Sequence, residues 1–244
     1  MEATLDSNLL TDRQTSKTAR LAASLFFFLA VPLSIWGQMY VLSKIFVPLD
    51  PTTTAINLLS NEFLFRMSIV CHLADTISFV LMVLLFYRLF RPVDKHLSRL
   101  MLVPILAQFT VVFLLEILHY TALMILKSEP RPTFDVAQQQ EAAYFLLRMY
   151  SYGSGVGMAK LFIGLCFIPF GMLVSRSGFA PRVIGILLII GGVGYVADCC
   201  ASILLQRPDY LMVRQFLKYT PMAYMLALLW FLIKGVRDRR PIVH

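Results

Sequence analysis

Six apolar runs, each long enough to cross a bilayer, take up nearly all of this 244-residue chain. They fall at about 19–42, 66–90, 100–126, 143–174, 182–205 and 216–236. A spanning helix needs roughly 20 such residues. Within lipid the backbone must satisfy its own hydrogen bonds, so only helices or a closed barrel can span. Runs this long, with no alternation of polar and apolar residues, are helices. The expectation is therefore an all-α integral membrane bundle of six transmembrane helices. It forms a single domain over 19–236, with polar tails at 1–18 and 237–244. Composition agrees: 58% of the residues are hydrophobic and 15% charged, against about 45–50% and about 25% in a soluble domain. No connecting segment has room for a soluble domain, so any chemistry sits in or beside the membrane.

The net charge of +8 is unevenly placed. Arg13, Lys17, Arg20, Arg88, Arg91, Lys95, Arg99, Arg176, Arg182, Lys234, Arg237, Arg239 and Arg240 fall on one side of the membrane. Lys44, Lys127, Arg131, Arg207, Arg214 and Lys218 fall on the other. Lys and Arg mark cytoplasmic loops, which puts both termini in the cytoplasm. The natural partners of these charges are anionic headgroups of the lipid bilayer. They form no contiguous basic face of the kind that tracks phosphates, so no nucleic acid is expected. The first run follows a polar tail and has no small-residue cleavage site after it, so it reads as an uncleaved anchor.

Local signals refine the map. Asp50-Pro51 before TTTAINLL reads as a capped helix start, and Ile56, Leu59 and Phe63 recur at helical spacing. That segment either lies on the outer interface or caps the bundle. Asp135 is placed to cap a helix feeding the fourth span. Gly157, Gly164 and Gly171 share a face and are answered by Gly185 and Gly192, so spans four and five should form a tight antiparallel hairpin. Pro32, Pro104, Pro169 and Pro221 should bend their spans. Cys71, Cys166, Cys199 and Cys200 lack zinc-finger spacing. Cys71 and the Cys199–Cys200 pair fall at similar depth, which leaves a disulfide between them open.

Ionisable residues inside spans are costly and usually face a bundle interior or a wet cavity. At about 1.5 Å per residue, His72 lies roughly 9 Å, Asp75 13 Å, His119 10 Å, Glu116 15 Å, Arg148 10 Å and Asp198 10 Å from the outer face. They come from four helices, yet share one layer. His72/Asp75 and Glu116/His119 are i,i+3 pairs, each on a single helix face. With Tyr152 these residues define an outward-facing polar pocket suited to binding, sensing or transporting a small-molecule or lipid-like ligand. Two other readings stay open. Glu-x-x-His on a bundle helix resembles carboxylate-bridged metal centres. His72, Asp75, Glu116, His119 and Asp198 are accordingly candidate ligands for Zn, Mn or Fe in a hydrolase-like enzyme, and a haem between His72 and His119 is a lesser variant. Alternatively the layer is a structural network in an accessory subunit, with Arg148 pairing Asp198 or Glu116. Lys160, nearer mid-membrane, would then pair a neighbouring carboxylate. Substrate, cofactor and oligomeric state are left open.

The segments LFRMSIVCHLADTISFVLMVLLFYRLFRPVDK (64–95), YSYGSGVGMAKLFIGL (150–165) and LVSRSGFAPRVIGILLIIGGVGYVAD (173–198) resemble a bacterial family of polytopic membrane proteins, the domain of unknown function 4386. The likeness runs from the first span to the last. It places Arg66, Asp75, Tyr87, Pro92, Gly178, Pro181, Gly185, Tyr195 and Asp198 on the family's pattern and His72, Glu116 and His119 outside it. It implies a multi-pass protein of a bacterial plasma membrane and brings no established activity.

Overall fold

The computed structural model describes residues 15–130, 134–153, 158–205 and 219–236, with 211, 212, 215 and 217 between the last two stretches. The tails 1–14 and 237–244 lie outside the described residues, as do Arg131, Gly157, Arg207, Arg214, Lys218 and the side chains of Tyr152 and Pro221. Among the described residues the regular elements are helices, as the apolar runs require. The helices are α1 (Thr15–Ile45), α2 (Pro51–Ser60), α3 (Glu62–Phe90), α4 (Lys95–Lys127), α5 (Val136–Gly153), α6 (Lys160–Ser177), α7 (Arg182–Leu204) and α8 (Thr220–Lys234).

Among the described residues five helices are long and apolar enough to cross a membrane, namely α1, α3, α4, α6 and α7, and α8 adds the shorter apolar stretch Met222–Lys234. The protein is a multi-pass helical membrane protein. Residues 143–174, expected as one span, are divided between α5 and α6. The division falls after Gly153, the last residue of α5, and residues 154–157 lie outside the described residues. Within α1, two π-helical stretches, Phe26–Ala30 and Ile35–Val41, flank the turn that contains Pro32. The missing proline N–H removes a normal helical bond there.

The chain clusters into two compact units, with α1, α3 and α4 each contributing residues to both. One unit comprises Phe27–Ser78 and Phe109–Ala159. Its core joins Val41, Ile45, Leu58, Phe65, Ala122, Leu123, Ala143 and Leu147. The loop elements are fixed by local chemistry. Asp50 accepts from the Thr53 backbone N–H at 2.9 Å and its hydroxyl at 2.6 Å, with Pro51 opening α2. Leu49, at φ 65°, is held in that uncommon conformation by its N–H donating to the Tyr144 hydroxyl at 2.8 Å. Asp135 and Gln138 exchange reciprocal bonds of 2.8 and 3.0 Å, a capping box that starts α5. Lys127 and Arg66 both bind Glu62, tying the end of α4 to the start of α3. Gln139 donates to the Ser128 carbonyl at 3.3 Å, joining α5 to the end of α4.

The other unit comprises the described residues of Met1–Phe26, Phe79–Gln108 and Lys160–His244. Here α6 and α7 form the expected antiparallel hairpin. A Cβ placed on Gly164 would stand 2.6 Å from the Gly192 carbonyl oxygen, and one on Gly192 would stand 2.8 Å from that of Gly164. Gly171 faces Gly185 in the same way. Lipid gives helices no hydrophobic drive to associate, so close backbone packing supplies the attraction. Aromatic rings fill the rest: Phe86 lies 4.7 Å from Phe170 and 5.4 Å from Phe231. Asp94 caps α4 through the His96 and Leu97 N–H groups and pairs with Arg176. The Leu97 N–H, more than any other neighbour, holds its carboxyl below the usual carboxylate range. All four cysteines are free thiols.

Gly164→Val should lower the thermal midpoint in detergent by the equivalent of about 1–3 kcal/mol or more, the scale of overpacking a tight contact. Ile186→Leu, at a position 52% exposed on α7, should leave it unchanged. Equal midpoints for the two variants would contradict the hairpin packing.

Candidate functional site

The two i,i+3 pairs on α3 and α4 bring a carboxylate and two imidazoles together inside the first unit. Glu116 Oε1 contacts His72 Nδ1, and Glu116 Oε2 lies 3.1 Å from His119 Nδ1. Each of the three residues is only 3% exposed. From α5, Tyr150 adds a hydroxyl 3.0 Å from His72 Nδ1 and beside the Glu116 carboxylate. Its ring stacks on His119 with centroids 4.0 Å apart and planes 12° apart. Phe65 meets the His119 ring at 4.4 Å and 72°. Within α3 the Thr76 hydroxyl donates to the His72 backbone carbonyl at 2.8 Å.

The hydrogen-bond roles follow from the inventory of donors. An ionised carboxylate only accepts, so each imidazole offers Glu116 an Nδ1–H. A neutral ring with hydrogen on Nδ1 carries a lone pair on Nε2. In His119 that Nε2 is buried and has no hydrogen-bond partner. Buried polar atoms are satisfied in the large majority of cases, and an exception calls for an explanation.

The remaining predicted site residues fall elsewhere or form other contacts. Asp75 lies one turn beyond His72, beside the Ser34 hydroxyl of α1. Gly37 lets α1 approach α3 here: a Cβ on it would stand 3.2 Å from the Ser68 carbonyl oxygen and 3.3 Å from the Cys71 Cβ. Arg148 is half-buried on α5. The side chain of Tyr152 lies outside the described residues. Asp198 belongs to the other unit and there takes the Lys160 ammonium, the carboxylate partner expected for that lysine. The residue the sequence leaves unmarked is Tyr150. Its signal is the buried stripe Ala143, Leu147 and Tyr150 at i, i+4 and i+7, which sets Tyr150 on the inner face of α5. Among the described residues no three His, Cys, Asp or Glu side chains group so as to hold a metal ion.

Helices of this length and hydropathy, with a buried histidine–carboxylate cluster between three of them, define a multi-pass membrane protein with an internal polar centre. The chain belongs to the family described as domain of unknown function DUF4386, whose profile matches residues 22–235. Neither a curated protein nor a solved structure matches it.

Removing Glu116 strands two buried imidazole donors, so Glu116→Ala should cost about 1–3 kcal/mol for each donor left unsatisfied. Tyr150→Phe, which deletes one hydroxyl, should cost about 1 kcal/mol. Denaturation in detergent reads both, and a Glu116→Ala protein as stable as Tyr150→Phe would contradict the cluster's arrangement.

Proposed function

We propose that the protein binds a small hydrogen-bonding ligand within the membrane, in order to sense or carry it, and that the His72–Glu116–His119–Tyr150 cluster is the binding site. The observation that supports this reading is the bare Nε2 of His119. A buried acceptor without a donor costs about 1–3 kcal/mol. A network serving only to pack helices gains nothing by leaving that atom open, whereas a ligand that supplies a donor recovers the loss. The ring is also rigidly aimed: Glu116 fixes its tautomer, Tyr150 its plane and Phe65 its flank. Rigid polar groups in an apolar surround are the usual makeup of a small-molecule site. The excess of Lys and Arg on one side sets both termini in the cytoplasm, so the cluster sits in the outer half of the membrane and its ligand arrives from outside. The membrane is the plasma membrane of a bacterial cell.

Diethyl pyrocarbonate, a small electrophile that modifies unprotonated imidazole, tests whether such molecules reach the site. In folded, detergent-purified protein it should modify His119, with exposed His96 as internal control. Modification of His96 alone until the fold is denatured would contradict the reading. Metal analysis of the same preparation separates it from metal-dependent hydrolysis. Stoichiometric metal that is lost in both His72→Ala and His119→Ala would replace the ligand-binding reading with the enzymatic one.

A further inference from the structure

We infer that the ligand of this site is a small cation bearing N–H groups, ammonium or a primary amine, an inference that rests on the binding-site reading above. Three features of the cluster select that chemistry. The first is the sense of the open hydrogen bond. With its Nδ1–H committed to Glu116, His119 presents an acceptor at Nε2, so the ligand must be a donor. A carboxylate, a phosphate or another acceptor-only anion is excluded by the same logic.

The second feature is charge. The groups that touch Glu116 are two imidazoles and a phenol. Each can donate in its neutral form, and a carboxylate held by neutral donors keeps its negative charge uncancelled. Asp75 adds a second carboxyl one turn along α3. In a low-dielectric interior an uncompensated anion attracts a cation far more strongly than it does in water.

The third feature is the aromatic flank. The His119 ring is held between Tyr150, stacked 4.0 Å away, and Phe65, 4.4 Å away. Aromatic faces stabilise a nearby cation by about 0.5–2 kcal/mol, more when it is desolvated. A metal ion would also answer the charge, but it wants three or more donors, and among the described residues no such group forms. A single N–H···Nε2 bond, a field of negative charge and aromatic walls together favour an ammonium group.

Thermal denaturation of the detergent-purified protein at neutral pH and constant ionic strength tests this directly. Ammonium and methylammonium chloride should raise the midpoint in a saturable manner. Potassium chloride, with a cation of similar size but no N–H, should not, and neither should tetramethylammonium chloride, a cation without a donor. Ile186→Leu, exposed on α7 and outside the cluster, should keep the ammonium response, and His119→Phe should lose it. The wild-type comparison of ammonium with potassium stands even if His119→Phe fails to fold. An equal response to ammonium and potassium, or none to either amine, would overturn the proposal. If His119 is still modified by the electrophile in that event, the site survives and only its ligand class is wrong; if it is not, both readings fall.

Discussion

One carboxylate organises the first unit. Glu116 is buried to 3% exposure on a helix apolar enough to cross a membrane, where an unsolvated charge would cost several kcal/mol. It persists because donors from three helices converge on it: His119 from its own turn of α4, His72 from α3 and Tyr150 from α5. Its demands set the local arrangement. They fix which nitrogen of each imidazole carries hydrogen, and they bring the three helices into register at one height. They also leave His119 with a bare nitrogen pointing away from the carboxylate. The surrounding elements serve that register. The Asp135–Gln138 box starts α5, Gln139 anchors it to the end of α4, and the Glu62 ion pairs clamp α3 to α4.

Much of this was legible in the sequence, because membrane solvent leaves few structural choices. Long apolar runs become helices, and Asp50 and Asp135 cap where their positions say they should. The glycines of α6 and α7 pack backbone to backbone, since nothing else holds helices together so closely in lipid. The His72 and Glu116/His119 spacing brought the right faces together, because i and i+3 positions must share one. The unread parts were tertiary. Tyr150 enters the cluster, which depends on how α5 is rotated about Leu147 and Ala143. Residues 143–174 are divided between α5 and α6, where hydropathy alone ran a single helix through. Lys160 is a cation that the structure sets on Asp198, a pairing between α6 and α7.

The division into two units separates two kinds of buried charge. Lys160 and Asp198 neutralise one another directly, as expected of a pair that specifies packing between α6 and α7. Glu116 is instead surrounded by polar donors that need carry no charge. A compensated ion pair has no further need of a partner, whereas a hydrogen-bonded anion with an open acceptor beside it does. That difference is why the histidine cluster, and not the lysine–aspartate pair, is the candidate site in this member of the DUF4386 family.

The central claim is the tautomer of His119, and ¹⁵N nuclear magnetic resonance of histidine-labelled protein in bilayers reads it most directly. The expected spectrum shows hydrogen on Nδ1 and an unprotonated Nε2 at His119, with the pattern altered in Glu116→Gln. A hydrogen found on Nε2, with Nδ1 bare, would mean that Glu116 does not hold this ring and that the open acceptor does not exist.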